Sequence, residues 1–387
     1  MIYFDHAATT AVHPEVVNEM EPYFGRLYGN PSGAYEFSAD VKEILQRVRQ
    51  RIADSIHAEK EEIYFTSGGT ESDNWALIGA AEGLKERGRH IITSCIEHHA
   101  VLRTCEYLES RGYEVTYLPV DSEGRVSVDM LKRAIRPDTI LISIMFANNE
   151  IGTIQPVHEI GTLARKQGIL FHTDAVQAYL HEKIDVKKLP VDMLSASSHK
   201  FQGPKGVGFL YIRSGILLPS FMHGGGQERG RRAGTENVPA IVGMGKAVAL
   251  GMRDYEANHR KLLRMREYLI RRIVTEIPYC QINGSRSQRL DGNVNVSFQY
   301  LEGESLIILL DMEGICVSAG SACSASEHTV SHVLQGIGLP EGIARGTIRI
   351  SLGAENTVDE LNFFMKKLKL LVEQLREFSD EYQQQKE

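Results

Sequence analysis

From about Ile63 to Ile212 the chain alternates short β-branched or apolar runs with helical patterns, and this alternation restricts the fold more than any other feature. The candidate strands are Ile63-Tyr64-Phe65, His90-Ile91-Ile92-Thr93, Glu114 to Leu118, Ile140 to Ile144, Ile169 to His172, Met193 to Ala196 and Val207 to Ile212. Strands separated by helices must run largely parallel, with helices on both faces, so the expected fold is α/β with a mostly parallel seven-stranded sheet. In such sheets ligands collect outside the carboxyl ends of the strands.

After Thr235 a long helical pattern runs through Ala240-Ile241-Val242 and past Leu262-Leu263-Arg264-Met265, as a connector out of the sheet. The remainder of the chain reads as a smaller α+β unit, with strands over Asn293 to Phe298 and Thr347 to Ser351. Leu361, Phe364, Met365, Leu368, Leu371, Leu375 and Phe378 keep the helical period in a closing helix. The tail from Tyr382 to Glu387 is expected to fray. The expected division is a large domain over 15–256 and a small one built from 1–14 and 257–387.

A length of 387 residues with 42% apolar and 24% charged residues suits a globular chain of about two domains. A formal charge of −7 offers no basic field for nucleic acid. No apolar run reaches the roughly 20 residues of a membrane helix, and the N-terminus lacks a signal-peptide pattern, so a cytoplasmic location is expected. The cysteines are Cys95, Cys105, Cys280, Cys316 and Cys323; an odd number without CxxC spacing signals neither a disulfide framework nor a metal cage.

Polar groups stand where the candidate strands end. Thr66-Ser67-Gly68-Gly69-Thr70-Glu71 comes after a strand and opens a helix, so its glycines and N–H groups could form a phosphate cup; taken alone it is equally a Thr-capped helix start. Asp174, in Phe171-His172-Thr173-Asp174-Ala175-Val176-Gln177, either caps a turn or meets a cation. Asn148-Asn149-Glu150 and Glu97-His98-His99 close two further strands.

Lys200, in Ser197-Ser198-His199-Lys200, stands among small residues after another strand. A strand-end lysine near a phosphate cup and a carboxylate is the set that pyridoxal phosphate requires: an amine for the Schiff base, an acid for the pyridine nitrogen and donors for the phosphate. Ser197 and His199 would bind the phosphate or position the lysine, while Lys205, in Gly203-Pro204-Lys205-Gly206, reads as an exposed turn residue. Cys323 lies in Ser318-Ala319-Gly320-Ser321-Ala322-Cys323-Ser324-Ala325-Ser326, a run too poor in apolar bulk to bury a thiol, so a loop presenting it is expected. Arg349 alternates with apolar neighbours, as either a grip for a substrate carboxylate or a strand-edge ion-pair partner.

Together these segments resemble the pyridoxal-phosphate cysteine desulfurases of the NifS/IscS type, in the class V aminotransferase group of fold type I. The resemblance extends from Tyr3-Phe4-Asp5-His6-Ala7-Ala8 through Tyr28-Gly29-Asn30-Pro31-Ser32, Gly224-Gly225-Gly226-Gln227-Glu228 and Gly320-Ser321-Ala322-Cys323. It implies that Lys200 forms the Schiff base, Asp174 partners the pyridinium and His98 stacks on the ring. Gln177 would face the phenolic oxygen, and Gly69, Thr70, Ser197 and His199 would hold the phosphate. Lys200 or His98 would serve as acid–base group, Asn149 and Arg349 would bind L-cysteine, and Cys323 would accept its sulfur. Thr235 would reach the phosphate of the other subunit in a homodimer, and the sulfur would pass to an iron–sulfur scaffold or a tRNA-thiolation enzyme; no metal is implied. The sequence departs from the family pattern at His328-Thr329-Val330, before Ser331-His332-Val333-Leu334. Selenocysteine lyase, an aminotransferase of the same fold and a non-catalytic sulfur-relay subunit are the competing readings.

Overall fold

In the computed structural model, which describes residues 1–319 and 330–386, the seven expected strands form one sheet. They are β1 (Ile63–Thr66), β2 (His90–Ser94), β3 (Glu114–Leu118), β4 (Thr139–Ser143), β5 (Leu170–Asp174), β6 (Met193–Ser197) and β7 (Gly208–Ile212). Their order across the sheet is β1-β7-β6-β5-β4-β2-β3. Only β7 runs against its neighbours; β6, β5, β4, β2 and β3 pair in parallel.

Every residue of β2, β4, β6 and β7 is buried, because helices cover both faces. Successive strand residues alternate between those faces. Ile92, Ile142, Phe171 and Leu194 pack with α1 (Glu36–Ser55), whose Val41, Leu45, Val48 and Ile52 keep the helical period. Ile91, Leu141, Met193 and Leu210 pack on the opposite face with Trp75, Ala76 and Leu77 of α2 (Gly69–Gly83) and Val101, Cys105 and Leu108 of α3 (His99–Ser110).

The connector is α4 (Val238–Glu276), a single helix of 39 residues. Val238 to Leu250 supply its buried positions against the large sheet, and Leu262 to Ile273 supply those of a second core. That core lies on a four-stranded antiparallel sheet of β8 (Cys280–Ile282), β9 (Asn293–Phe298), β10 (Ser318–Ala319) and β11 (Thr347–Ser351), in the order β10-β11-β9-β8. Asn295 stands opposite Arg349 on β11. The N-terminus joins this side: Ile2–Tyr3 pairs in parallel with Ile315–Cys316, and Phe4 is fully buried in the second core.

Two terminal expectations are corrected. The closing helix, Val358–Glu377, buries Leu361, Phe364, Met365, Leu368 and Leu371, but Phe378 caps it and is 88% exposed. The tail does not simply fray: Asp380–Lys386 is helical, and the Tyr382 ring packs edge-on against Tyr279 and tilted against Tyr300. Among the described residues no helix is long and apolar enough to cross a membrane.

Candidate active site

The carboxyl ends of β1, β2, β4, β5 and β6 open on one cleft of about 570 Å³. Ten of the twelve residues singled out in the sequence line it: Gly69, Thr70, His98, Asn149, Asp174, Gln177, Ser197, His199, Lys200 and Arg349. Parallel strands put their carboxyl ends on the same rim, which is why motifs far apart in sequence meet here. Thr235 is exposed and does not line the cleft within its own chain. Cys323 lies outside the described residues.

Lys200 sits on a single 3-10 turn, Ser198–Lys200, directly after β6. Its Nζ donates to the backbone oxygens of Ala7 (2.6 Å) and Ala8 (2.8 Å), and Gln177 Nε2 donates to Ala7 O as well (2.9 Å). The N-terminal segment thus supplies the acceptors that hold the lysine, a part that residue-type reasoning had not given to Ala7 and Ala8. Lys205 is exposed, as expected of a turn residue, yet it lines the same cleft.

Asp174 ends β5, and its Oδ1 accepts from Val176 N at 2.8 Å. Burial pushes its carboxyl up, against the opposing pull of His98 and Lys200. His98 caps α3 by accepting from Ala100 N at Nδ1 (3.1 Å), which leaves Nε2 as the protonated nitrogen of the neutral ring. Burial holds its imidazole below the ordinary range.

At the phosphate cup no side chain caps the first turn of α2. Glycine suits both positions: at Gly69 a Cβ would lie 2.6 Å from Val176 Cγ2, so that side chain would have to shift, and Gly68 has a φ of 150°. His199 Nδ1 lies 3.1 Å from Thr9 Oγ1; burial, with Lys200 and Lys205 nearby, pushes its imidazole down to about 4. It is therefore neutral at pH 7. The unforeseen member is Glu71, which accepts from Ser67 N (3.0 Å) and binds Arg232 through both carboxylate oxygens (2.8 and 3.0 Å). This pair ties the segment before Thr235 to the cup.

Arg349 is 2% exposed and makes an ion pair, though from an interior strand, since β11 lies between β10 and β9. Its Nη2 meets Asp5 Oδ1 at 2.8 Å, Nη1 donates to Asn149 O at 3.0 Å, and Nε has no partner. Beside it Glu150 accepts from Ser331 Oγ at 2.5 Å, and burial pushes the Glu150 carboxyl up to about 7.

A strand-end amine, a buried acid and a glycine cradle with hydroxyl and imidazole donors are the set that fits pyridoxal phosphate. The cradle crowds a side chain at Gly69 and leaves a phosphate room on the N-terminus of α2.

The comparisons agree with that fit. A family model described as aminotransferase class-V matches residues 2–364. Cysteine desulfurase IscS of Methanosarcina thermophila is 54% identical over 378 residues, 98% of this chain and 93% of that protein. A solved NifS-like protein superposes with a TM-score of 0.91 at 39% identity, covering 97% of this chain and 100% of the other. The structure of SspA in complex with cysteine superposes with a TM-score of 0.83 at 40% identity, covering 92% and 100%. Fold and cleft together define a pyridoxal-phosphate-dependent enzyme of fold type I. The chain belongs to the class-V aminotransferase family and, within it, to the cysteine desulfurases of the NifS/IscS type.

Proposed function

We propose that the protein takes sulfur from L-cysteine, releases L-alanine and leaves the sulfur as a persulfide on Cys323. The substrate's carbon–sulfur bond breaks and a sulfur–sulfur bond to Cys323 forms, while the hydrogen of the substrate thiol ends on the carbon that becomes alanine's methyl group. No external oxidant or reductant is needed. Bound pyridoxal phosphate supplies the electron sink that acidifies the substrate's α-proton.

The chain's own groups do the rest. Arg349 and Asn149 bind the substrate carboxylate; Lys200 Nζ takes the α-proton, and His98, with its proton on Nε2, serves as the acid that returns one. Asp174 and His98 orient the cofactor ring, Gln177 faces its oxygen, and Gly69, Thr70, Ser197 and His199 hold the phosphate. The observation that carries the thiol's part is that the described residues on both sides of the Cys323 stretch belong to the site: Ser318 pairs with Arg349, and His332 lines the cleft.

The exposed Thr235 belongs in a homodimer whose partner subunit it serves, and the persulfide passes to an acceptor protein for iron–sulfur cluster assembly or tRNA thiolation. A reducing cytoplasm suits a reactive thiol. A domain division at 15–256 and at 1–14 with 257–387 fits the exposed middle of α4.

Replacing Cys323 by Ser tests this. The variant should keep the visible absorbance of lysine-bound cofactor and lose alanine and sulfide production from L-cysteine; retained turnover would refute the part given to Cys323.

A further inference from the structure

Asp73 lies on the buried stripe of α2, at the position that precedes Ala76, Leu77 and Ala80 by the helical period. A carboxyl is out of place there. It is 1% exposed and lines the cleft; among the described residues its Oδ1 has no hydrogen-bond partner, and the Ser195 hydroxyl beside the carboxyl opposes, without outweighing, the effect of burial and of Asp174. His172 Nε2 stands 3.6 Å away, but it is no counter-ion. Both His172 ring nitrogens lie 2.9 Å from serine hydroxyls, those of Ser143 and Ser195, and burial pushes the ring down to about 3.

The charged and titratable groups around Asp73 are Glu97 and His98 after β2, and His172 and Asp174 on β5. Asp73, His98 and Asp174 each place a polar atom within 4.8 Å of the other two. Two carboxylates that close, both withdrawn from water, do not ionise together at neutral pH, so one proton stays with the pair. Asp174 has the cationic company of Lys200 and, when the cofactor is bound, that of its ring nitrogen; Asp73 has none.

We propose that Asp73 is a positioning residue of the cofactor site: it keeps its proton in the loaded enzyme and, as a neutral neighbour, leaves Asp174 the ionised partner of the ring nitrogen. This rests on the reading of the cleft as a pyridoxal-phosphate site. Binding of the cofactor then fixes which carboxyl of the pair carries the proton.

Loaded wild-type protein, Asp73→Asn and Asp73→Ala are compared by equilibrium dialysis of pyridoxal phosphate and by the pH midpoint of the visible absorbance. Asparagine is neutral at every pH and has the same shape, so D73N should keep the wild-type midpoint and bind within about threefold of wild type. D73A, with the polar neighbour gone, should lose affinity by about tenfold or more, the size of one buried hydrogen-bonding group. A midpoint lowered by about one unit or more in D73N would overturn the proposal, because it would mean that a negative charge had been removed beside the ring. So would wild-type affinity in D73A. If D73A does not fold, the D73N titration decides alone. Wild-type protein that gains no visible absorbance would remove the cofactor reading itself, an outcome distinct from any difference among loaded variants.

Discussion

A guanidinium that is 2% exposed needs acceptors for its donors, and Arg349 has them on only two sides, at Asp5 Oδ1 and Asn149 O. Its unpartnered Nε marks the capacity left over. The planar fork is what a carboxylate ligand uses, and a lysine cannot reproduce it. Arg349→Lys should therefore raise the KM for L-cysteine by about 10- to 100-fold, the worth of one charge-assisted bond, while the visible absorbance of the bound cofactor stays as in wild type. An unchanged KM would show that the guanidinium serves only Asp5 and the Asn149 backbone oxygen. Of the two readings of Arg349 that its alternation left open, the ion pair is the one seen, with acceptors from the N-terminal segment and from the turn after β4, and the grip on a substrate carboxylate is what the KM measurement decides. Asp5 was the invisible half: nothing in its local sequence says that it lies against a residue 344 positions later.

At the level of elements, the phosphate cup and the acid are one mechanical unit. A Cβ on Gly69 would meet Val176, and it is Val176 N that donates to Asp174. Gly69→Ala should push α2 away from the turn after β5 and weaken pyridoxal phosphate binding by about tenfold or more, read by equilibrium dialysis. Equal affinity would mean that Val176 can rotate clear. The seven strands were legible because β-branched runs between helical patterns fix both the element type and the parallel sheet, and the parallel sheet brings the strand-end motifs to one rim. Asp73 was legible in principle, as an acid on an apolar stripe, but the stripe became evident only when the face of α2 that meets β4 to β7 was known. Ala7 and Ala8 left no signal at all, since their contribution is backbone oxygen and any residue has one. The helix around Tyr382 was hidden for a related reason: a polar tail looks unstructured until the Tyr279 and Tyr300 rings against which it packs are placed beside it.

The molecule as a whole buries several titratable groups on and just beyond its central strands, and this ties its stability to pH. Burial, with Asp174 nearby, pushes the Glu97 carboxyl up to about 8, although Ser94 Oγ and Met145 N donate to it. Its pKa in the fold lies above its ordinary value of 4.5, so the unfolded chain gives up this proton first. The stability it contributes is complete below about 4.5 and is lost as pH rises toward 8. His172 acts in the opposite sense: held neutral down to about 3, it costs stability as pH falls below its ordinary 6.5. The two slopes oppose each other between 4.5 and 6.5, and above 6.5 the histidine has no further effect. Glu150 also titrates in the interval from pH 6.5 to 8, so Glu97 is isolated there by the difference from a variant that lacks its carboxyl. Across it, the unfolding free energy of wild-type protein relative to Glu97→Gln, measured by urea denaturation, should fall by about 2 kcal/mol, or about 1.4 kcal/mol for each pH unit. A difference between the two proteins that stays constant over this interval would show that Glu97 is already ionised at its lower end. In that case the hydrogen bonds from Ser94 and Met145, and not burial, govern its charge.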